Sequence, residues 1–477
     1  MSSPFNEVKY KQLLEGLEIS EVLFSELRID NNKFRIDNEY FKKRFVNAER
    51  IIKDKKYVRF STIIDILTDF HSNGSYEAIA KEFELLDSSN YAYMVRTTDL
   101  EKDNYSDNVK YVTERCYNFL SKSKVYGGEL LINKIGTPGR TFLMPHLNRP
   151  VSLGMNLFMI RLKKDSGFNE SFLYVFFNTK IGESVIFRKI NGTVPLTIDK
   201  ESIKSLSIPW LATDFQLIIE RIVKSSQALL VESKTLYSEA EDILLSELGL
   251  KDWQPNNNPV NIKQLKESFL TSGRLDAEYY QSKYDDLIAH LSKYECDTIK
   301  GIANIKKSVE PGSDAYIDEG IPFVRVSDVT KFGISEPNIF LSPKDFNLNE
   351  LQPKKDTILL SKDGSVGIAY KVEEDMDCIT SGALLHLSVF NKDYTPDYLT
   401  LVLNSIVVQM QAERDSNGAI IQHWKPSEIE QVIIPKLPKP IQDEISAKIQ
   451  ESFALKAESK RLLEEAKMMV EKEIKKE

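Results

Sequence analysis

The stretch Leu130–Gly139 reads LLINKIGTPG and the stretch Ile358–Gly367 reads ILLSKDGSVG. Each is an apolar run that ends in a lysine and two glycines three residues apart. An internal repeat decides the fold before any local feature does, and the neighbourhoods of the two stretches correspond. Gly136 and Gly139 correspond to Gly364 and Gly367 at an offset of 228 residues, and VSLG at Val151–Gly154 corresponds to ITSG at Ile379–Gly382 at the same offset. Upstream, MVRTTDL (Met94–Leu100) matches FVRVSDV (Phe323–Val329), and RIDNEYF (Arg35–Phe41) matches RLDAEYY (Arg274–Tyr280). Downstream the offset is 226 residues and runs without a gap: FLYVFFNT (Phe172–Thr179) with YLTLVLNS (Tyr398–Ser405), Asn191-Gly192 with Asn417-Gly418, and Gln216–Leu236 with Gln442–Leu462. An ordered set of this kind marks a duplicated chain.

Each copy has two parts. The first mixes short β-rich runs such as ELLINKI, LFMIRL, TILLSK and IPFVRV with Gly, Pro and Asn turns and a few helices, which predicts an α+β globule. The second is a long helix entered after a proline-bearing stop, IPWLATD or IPKLPKP. In the first helix Phe215, Ile222, Leu229, Leu236 and Ile243 fall one heptad apart, with Ile219, Val223, Leu230, Tyr237, Ala240 and Leu244 beside them. In the second, Ile441, Leu455, Leu462 and Met469 keep that register, flanked by Ile445, Ile449, Phe453, Leu463 and Val470, and Lys448 interrupts the seam. Sustained heptads with charges between them predict a coiled coil. The boundaries expected are a globule over 1–210, a helix over 211–250, a linker over 251–261 (KDWQPNNNPVN), a globule over 262–440 and a helix over 441–477.

Composition narrows the class. The chain has 477 residues, 42% of them hydrophobic, which suits more than one globular domain. No apolar run is long enough for a membrane span, and MSSPFNEVKYKQLLEG lacks the apolar core of a signal peptide, so a soluble, cytoplasmic protein is expected. Cys116, Cys296 and Cys378 lie far apart and form no CxxC pair. The five histidines are scattered, and neither a phosphate-binding GxxxxGK[ST] loop nor a GxGxxG fingerprint occurs. Asp356 before the strand and Lys362 after it suggest a nuclease core, but the first copy has no matching Asp, and NNNPV at Asn256–Val260 lacks the paired proline and aromatic of an adenine methyltransferase loop. Neither catalysis, nor a cofactor, nor a metal is expected.

The net charge of −8 conceals a division. From Glu101 to Trp210 there are sixteen Lys and Arg against ten Asp and Glu; from Leu211 to Leu250 there are three against seven. A basic globule with an acidic helix suits a module that meets DNA with one part and protein with another. In KIGTPG and KDGSVG the glycines permit positive φ, the lysine supplies a cation and Thr137 or Ser365 a hydroxyl, as a phosphate contact needs.

These motifs, each present twice and in order, give the chain its resemblance to the specificity subunits of type I restriction-modification systems. The resemblance covers nearly all of the chain outside the first twenty residues or so. It implies two target-recognition domains joined by an antiparallel pair of helices in a pseudo-twofold arrangement. Each domain would read one half of a split, asymmetric site in double-stranded DNA, and the helices would dock DNA methyltransferase (modification) and restriction/translocase subunits. Pro138 stands where the second copy has Val366, a departure that puts the geometry of the first loop in question. The DNA-facing residues expected are Lys134, Thr137, Arg140, Asn191, Thr193 and Thr197 in the first copy, and Lys362, Asp363, Ser365, Asn417, Gln422, His423 and Lys425 in the second. Amides and histidine can read base edges. Arg96 and Arg325 each precede an Asp by three residues, which leaves DNA contact and internal ion pairing both open, and Trp424 is assigned to the core. The alternatives are a recognition subunit of another restriction architecture, a phage or mobile-element scaffold that binds a methyltransferase through its helices, and an enzyme in its own right.

Overall fold

The computed structural model describes residues 6–476 apart from 29, 30, 32, 107, 257, 259 and 419–421. Asn257 and Pro259 of the expected linker, and Ala419, Ile420 and Ile421 after the second Asn-Gly, therefore lie outside the described residues. The fold mixes helix and sheet in two compact units, one of Met1–Ala228 with Glu458–Glu477 and one of Leu229–Ala457.

In the first unit a four-stranded antiparallel sheet has the order Ile64–Asp69, Leu157–Leu162, Leu130–Asn133, Thr141–Leu143. The apolar run of the opening stretch is its inner strand, buried at all four positions. Alternate side chains of a strand point to opposite faces. Leu130 and Ile132 accordingly pack with Phe172 and Phe176, while Leu131 joins Tyr93, Leu153 and Met159 in a separate cluster. Both faces are covered, which is why this run is continuously apolar. A second sheet runs Lys110–Val112, Ala92–Val95, Val151–Leu153, Lys124–Val125, and its two inner strands are parallel.

The second unit has the same first sheet in the same order: Ala303–Lys307, Leu384–Val389, Ile358–Ser361, Ala369–Lys371. Its second sheet runs Phe340–Leu341, Ile321–Val324, Ile379–Thr380, again with a parallel pair. A two-stranded ribbon closes each unit, Tyr57–Arg59 with Ser207–Pro209 and Cys296–Thr298 with Ile433–Pro435. Directly after each ribbon a long helix begins, Thr213–Glu247 and Lys439–Lys475.

The second long helix packs on the first within each unit, and the seam differs from the one expected. Gln216, Ile219, Val223, Ser226, Ser233, Tyr237, Ala240 and Leu244 are buried on the first helix, whereas Phe215, Ile222, Leu229, Leu236 and Ile243 are half-exposed at its margin. On the second helix Gln442, Ile445, Ile449, Ser452, Ser459, Ala466 and Val470 are buried. The seam is thus one residue away from the most apolar stripe, because its centre is built from small residues. In the first unit Ser226 Oγ donates to the Ser459 carbonyl at 3.0 Å and Ser459 Oγ to the Ser226 carbonyl at 2.8 Å. In the second, Ser452 Oγ donates to the Ser233 carbonyl at 2.7 Å. A side chain reaches a partner's backbone in this way only where two helices approach closely. Lys448 does not interrupt the seam; it lies beside it, 2.7 Å from Glu239.

Each helix is also latched to its own globule at the root. Gln216 Nε2 donates to the carbonyls of Gly167 and Leu211 at 2.9 and 3.0 Å. Gln442 Nε2 donates to those of Asp393 and Leu437 at 2.8 and 2.9 Å, each position being displaced by the same 226 residues.

Candidate nucleic-acid interface

The four glycines of the opening stretches build one turn twice. Gly136 and Gly139 have φ of +88° and +86°, and Gly364 and Gly367 of +76° and +87°, a region open to glycine at no steric cost. The second glycine also lies close to a neighbouring side chain: a Cβ on Gly139 would meet Ile186 Cγ2 at 2.3 Å, and one on Gly367 would meet the end of the Gln409 side chain at 2.9 Å. The turns close alike, Gly139 N–H donating to the Asn133 carbonyl and Gly367 N–H to that of Ser361, both at 2.9 Å. Pro138 leaves this closure intact and is buried. Inside the first loop the Asn133 amide donates to the Thr137 carbonyl and hydroxyl at 2.9 and 2.8 Å; inside the second, Ser361 Oγ donates to the Ser365 carbonyl at 2.6 Å.

The Asn-Gly turns are brought onto these loops. Asn191 and Thr197 exchange two backbone hydrogen bonds of 2.8 Å, and Asn417 and His423 exchange two of 3.0 and 2.7 Å. Gly136 N–H then donates to the Leu196 carbonyl at 3.3 Å, and Gly364 N–H to the Gln422 carbonyl at 2.9 Å. Segments more than fifty residues apart in sequence thus form one surface in each unit. Most of the expected contact residues lie on it. Thr137, Arg140 and Thr193 are exposed, as are Ser365, Asn417, Gln422, His423 and Lys425, while Asn191, Thr197 and Asp363 are half-buried.

The two lysines lie deeper. Lys134 Nζ is 3.1 Å from Asp69, which Lys200 also approaches to 2.8 Å. Burial would raise the Asp69 carboxyl, yet hydrogen bonds from Lys200, Ser72 and Lys134 outweigh it and hold the group well below the usual carboxylate range. Lys362 pairs with Asp363, whose other oxygen meets His423 Nδ1 at 2.8 Å. Arg140 contacts Glu101 at 3.0 Å and Lys425 contacts Glu428 at 3.2 Å. Arg96 holds Asp99 at 2.6 Å, so its ion pair is formed, and Arg325 approaches Asp328 to 3.8 Å. Trp424 is buried, as expected, with no hydrogen-bond partner for Nε1 among the described residues.

One component was not foreseen. In RIDNEYF, Arg35 pairs with Asp37 at 2.6 Å and donates to the Ile190 carbonyl at 2.6 Å, and Arg35 and Arg188 lie over Tyr40 at 5.1 and 4.3 Å from the ring centroid. In RLDAEYY, Arg274 pairs with Asp276 and donates to the Asp415 carbonyl at 3.1 Å, and Arg274 and Arg414 lie over Tyr279 at 4.4 and 5.4 Å. The motif therefore staples the start of each copy to the base of its Asn-Gly turn. Only the repetition of these residues signalled it. In the first unit the staple, the glycine loop and the Asn-Gly turn border a cavity of about 840 Å³ lined by Arg35, Arg44, Thr137, Arg140, Asn191 and Thr193. Among the described residues no group of three or more His, Cys, Asp or Glu is placed to hold a metal, and no helix is long and apolar enough to cross a membrane.

The model of the type I restriction modification DNA specificity domain matches residues 292–467. The matched residues include the second glycine loop, its Asn-Gly turn and most of the second long helix. The chain is similar to the crystal structure of a type I restriction-modification S subunit from M. genitalium, with 14% identity, 88% of this chain and 95% of that one covered, and a TM-score of 0.38. It is also similar to the HsdS subunit from Thermoanaerobacter tengcongensis, with 15% identity, 88% and 96% covered, and a TM-score of 0.27. No curated protein matches the chain.

Proposed function

We propose that the whole chain is the sequence-specific DNA-binding specificity subunit of a type I restriction-modification system, itself without catalytic activity. Its two globules are the target-recognition domains, each reading one half of a bipartite, asymmetric double-stranded site. The paired helices form the antiparallel coiled coil of a pseudo-twofold molecule and direct DNA methyltransferase and restriction subunits to that site. The observation that carries this reading is the joining of a glycine loop to an Asn-Gly turn by equivalent backbone hydrogen bonds in both units. Two surfaces with one scaffold and different side chains are what two different half-sites require. Ile135 and Thr197 stand in the first where Asp363 and His423 stand in the second.

On this reading Thr137, Arg140, Asn191, Thr193 and Thr197, and Asp363, Ser365, Asn417, Gln422, His423 and Lys425, face the DNA. Lys134 and Lys362 act beneath them by fixing Asp69 and Asp363. The test is the methylation map of cells that carry the partner methyltransferase with and without this chain. One split sequence, methylated only when the chain is present, is the expected result. An unchanged map refutes the proposal.

A further inference from the structure

Of the side chains on the first surface, Val194 is the anomaly. It is 93% exposed, and Leu196 two residues later is 42% exposed. Single exposed apolar residues are common on protein surfaces; this one is in addition held out by a closed turn. The two Asn191–Thr197 hydrogen bonds pin the ends of the segment, and the bond from Gly136 to Leu196 ties it to the glycine loop. Gly192 has a φ of +96°, and a Cβ there would meet the Pro195 carbonyl oxygen at 2.8 Å, so the segment is folded tightly on itself. Thr193 beside it is exposed, and it lines the same cavity wall as Arg140 and Arg44. The Arg44 guanidinium lies over the Phe45 ring at 4.9 Å from its centroid. A rigid apolar tip therefore stands next to Thr193 on the rim of a cavity whose wall carries Arg35, Arg44 and Arg140 against the acids Asp37 and Glu39.

Among the four bases only thymine offers an apolar group in the major groove, its C5-methyl, and apolar side chains are the ones that recognise it. We propose that Val194 reads the methyl group of a thymine in the half-site bound by the first unit. This rests on the function proposed above and adds a ligand group to it. The tip segment Gly192–Leu196 supplies the apolar contact, Thr193 the adjacent polar one, and Arg44 with Arg140 holds the neighbouring backbone. The positions matching Val194 and Pro195 in the second copy, Ile420 and Ile421, lie outside the described residues.

Uracil differs from thymine by that methyl alone, which makes the test direct. The chain is purified with its partner methyltransferase, the methylated sequence is determined, and each thymine of both strands is replaced singly by uracil in a binding titration. Burial of one methyl predicts a loss of roughly fourfold in affinity at one position of one half-site. Val194→Ala should bind thymine and uracil DNA equally at that position and keep the preference of the other half-site. Because Val194 is almost wholly exposed, the variant keeps its fold. The proposal is overturned if neither half-site contains a thymine, if no uracil weakens binding, or if Val194→Ala weakens binding to both DNAs alike. It is overturned in favour of a protein contact if the variant loses the methyltransferase during purification. Failure of the underlying function shows separately and earlier, as wild-type complex that binds and methylates no particular sequence.

Discussion

Burial pushes the His386 imidazole down to about 4, with Lys306 contributing less, and its Nε2 shares a 2.7 Å hydrogen bond with Thr380 Oγ1. The folded protein therefore keeps this residue neutral over a range in which the unfolded chain, with an ordinary value of about 6.5, takes up a proton. The stabilisation is complete above pH 6.5 and is lost as pH falls from there to about 4, by an amount on the order of 3 kcal/mol. His386→Gln should flatten that stretch of a stability-against-pH curve measured by urea unfolding. An unchanged slope would assign the acid sensitivity elsewhere. Lys134 and Arg140 should separate in the same way by what they touch. Lys134→Ala leaves Asp69 with one cation fewer and should cost roughly 1–3 kcal/mol of stability. Arg140→Ala should leave stability alone and reduce the salt dependence of DNA binding by about one counterion. The glycines, the lysines and the hydroxyls were legible in the sequence as a loop, but the depth of Lys134 was not. Its partner lies 65 residues away, and no spacing reveals such a pair.

Among the elements, the long helices show most clearly what apolar periodicity can and cannot find. Their existence, and their start after a proline stop, follow from pattern alone. Their contact line does not, since a search for large apolar residues selects Phe215, Ile222 and Leu229 and passes over Gln216, Ser226 and Ser233, which are buried. The signal was present in another form: Ser226 and Ser233 recur as Ser452 and Ser459 at the offset of the repeat. Each structural pair joins a first serine of one helix to a second serine of the other, which is what two matched helices packed in opposite directions produce. Enlarging either layer should be worse than removing its hydroxyl. Ser226→Leu is expected to destabilise by about 1–3 kcal/mol through overpacking, and Ser226→Ala by about 1 kcal/mol through lost hydrogen bonds. Thermal unfolding of the two variants checks the order, and a leucine that stabilised the protein would mean that the helices are not close at this layer.

For the molecule as a whole, the ordered repeat foretold that the same strand order would occur twice, and the sheets Ile64–Asp69 to Thr141–Leu143 and Ala303–Lys307 to Ala369–Lys371 share it. It could not foretell where one globule may be exchanged for another. The ribbon of Tyr57–Arg59 with Ser207–Pro209 marks that place, because it brings the ends of the intervening segment side by side. Replacing residues 60–206 by the matching segment of a relative should change one half of the methylated sequence and leave the other as it was. A change in both halves would contradict two independent readers. The glutamine latch carries a different kind of consequence. Gln216 stands in the first turn of its helix and donates both amide hydrogens to carbonyls outside that helix, those of Gly167 and Leu211. Two hydrogen bonds from one amide thus act as a hinge pin: they set the direction in which the helix leaves the globule that precedes it, within one unit.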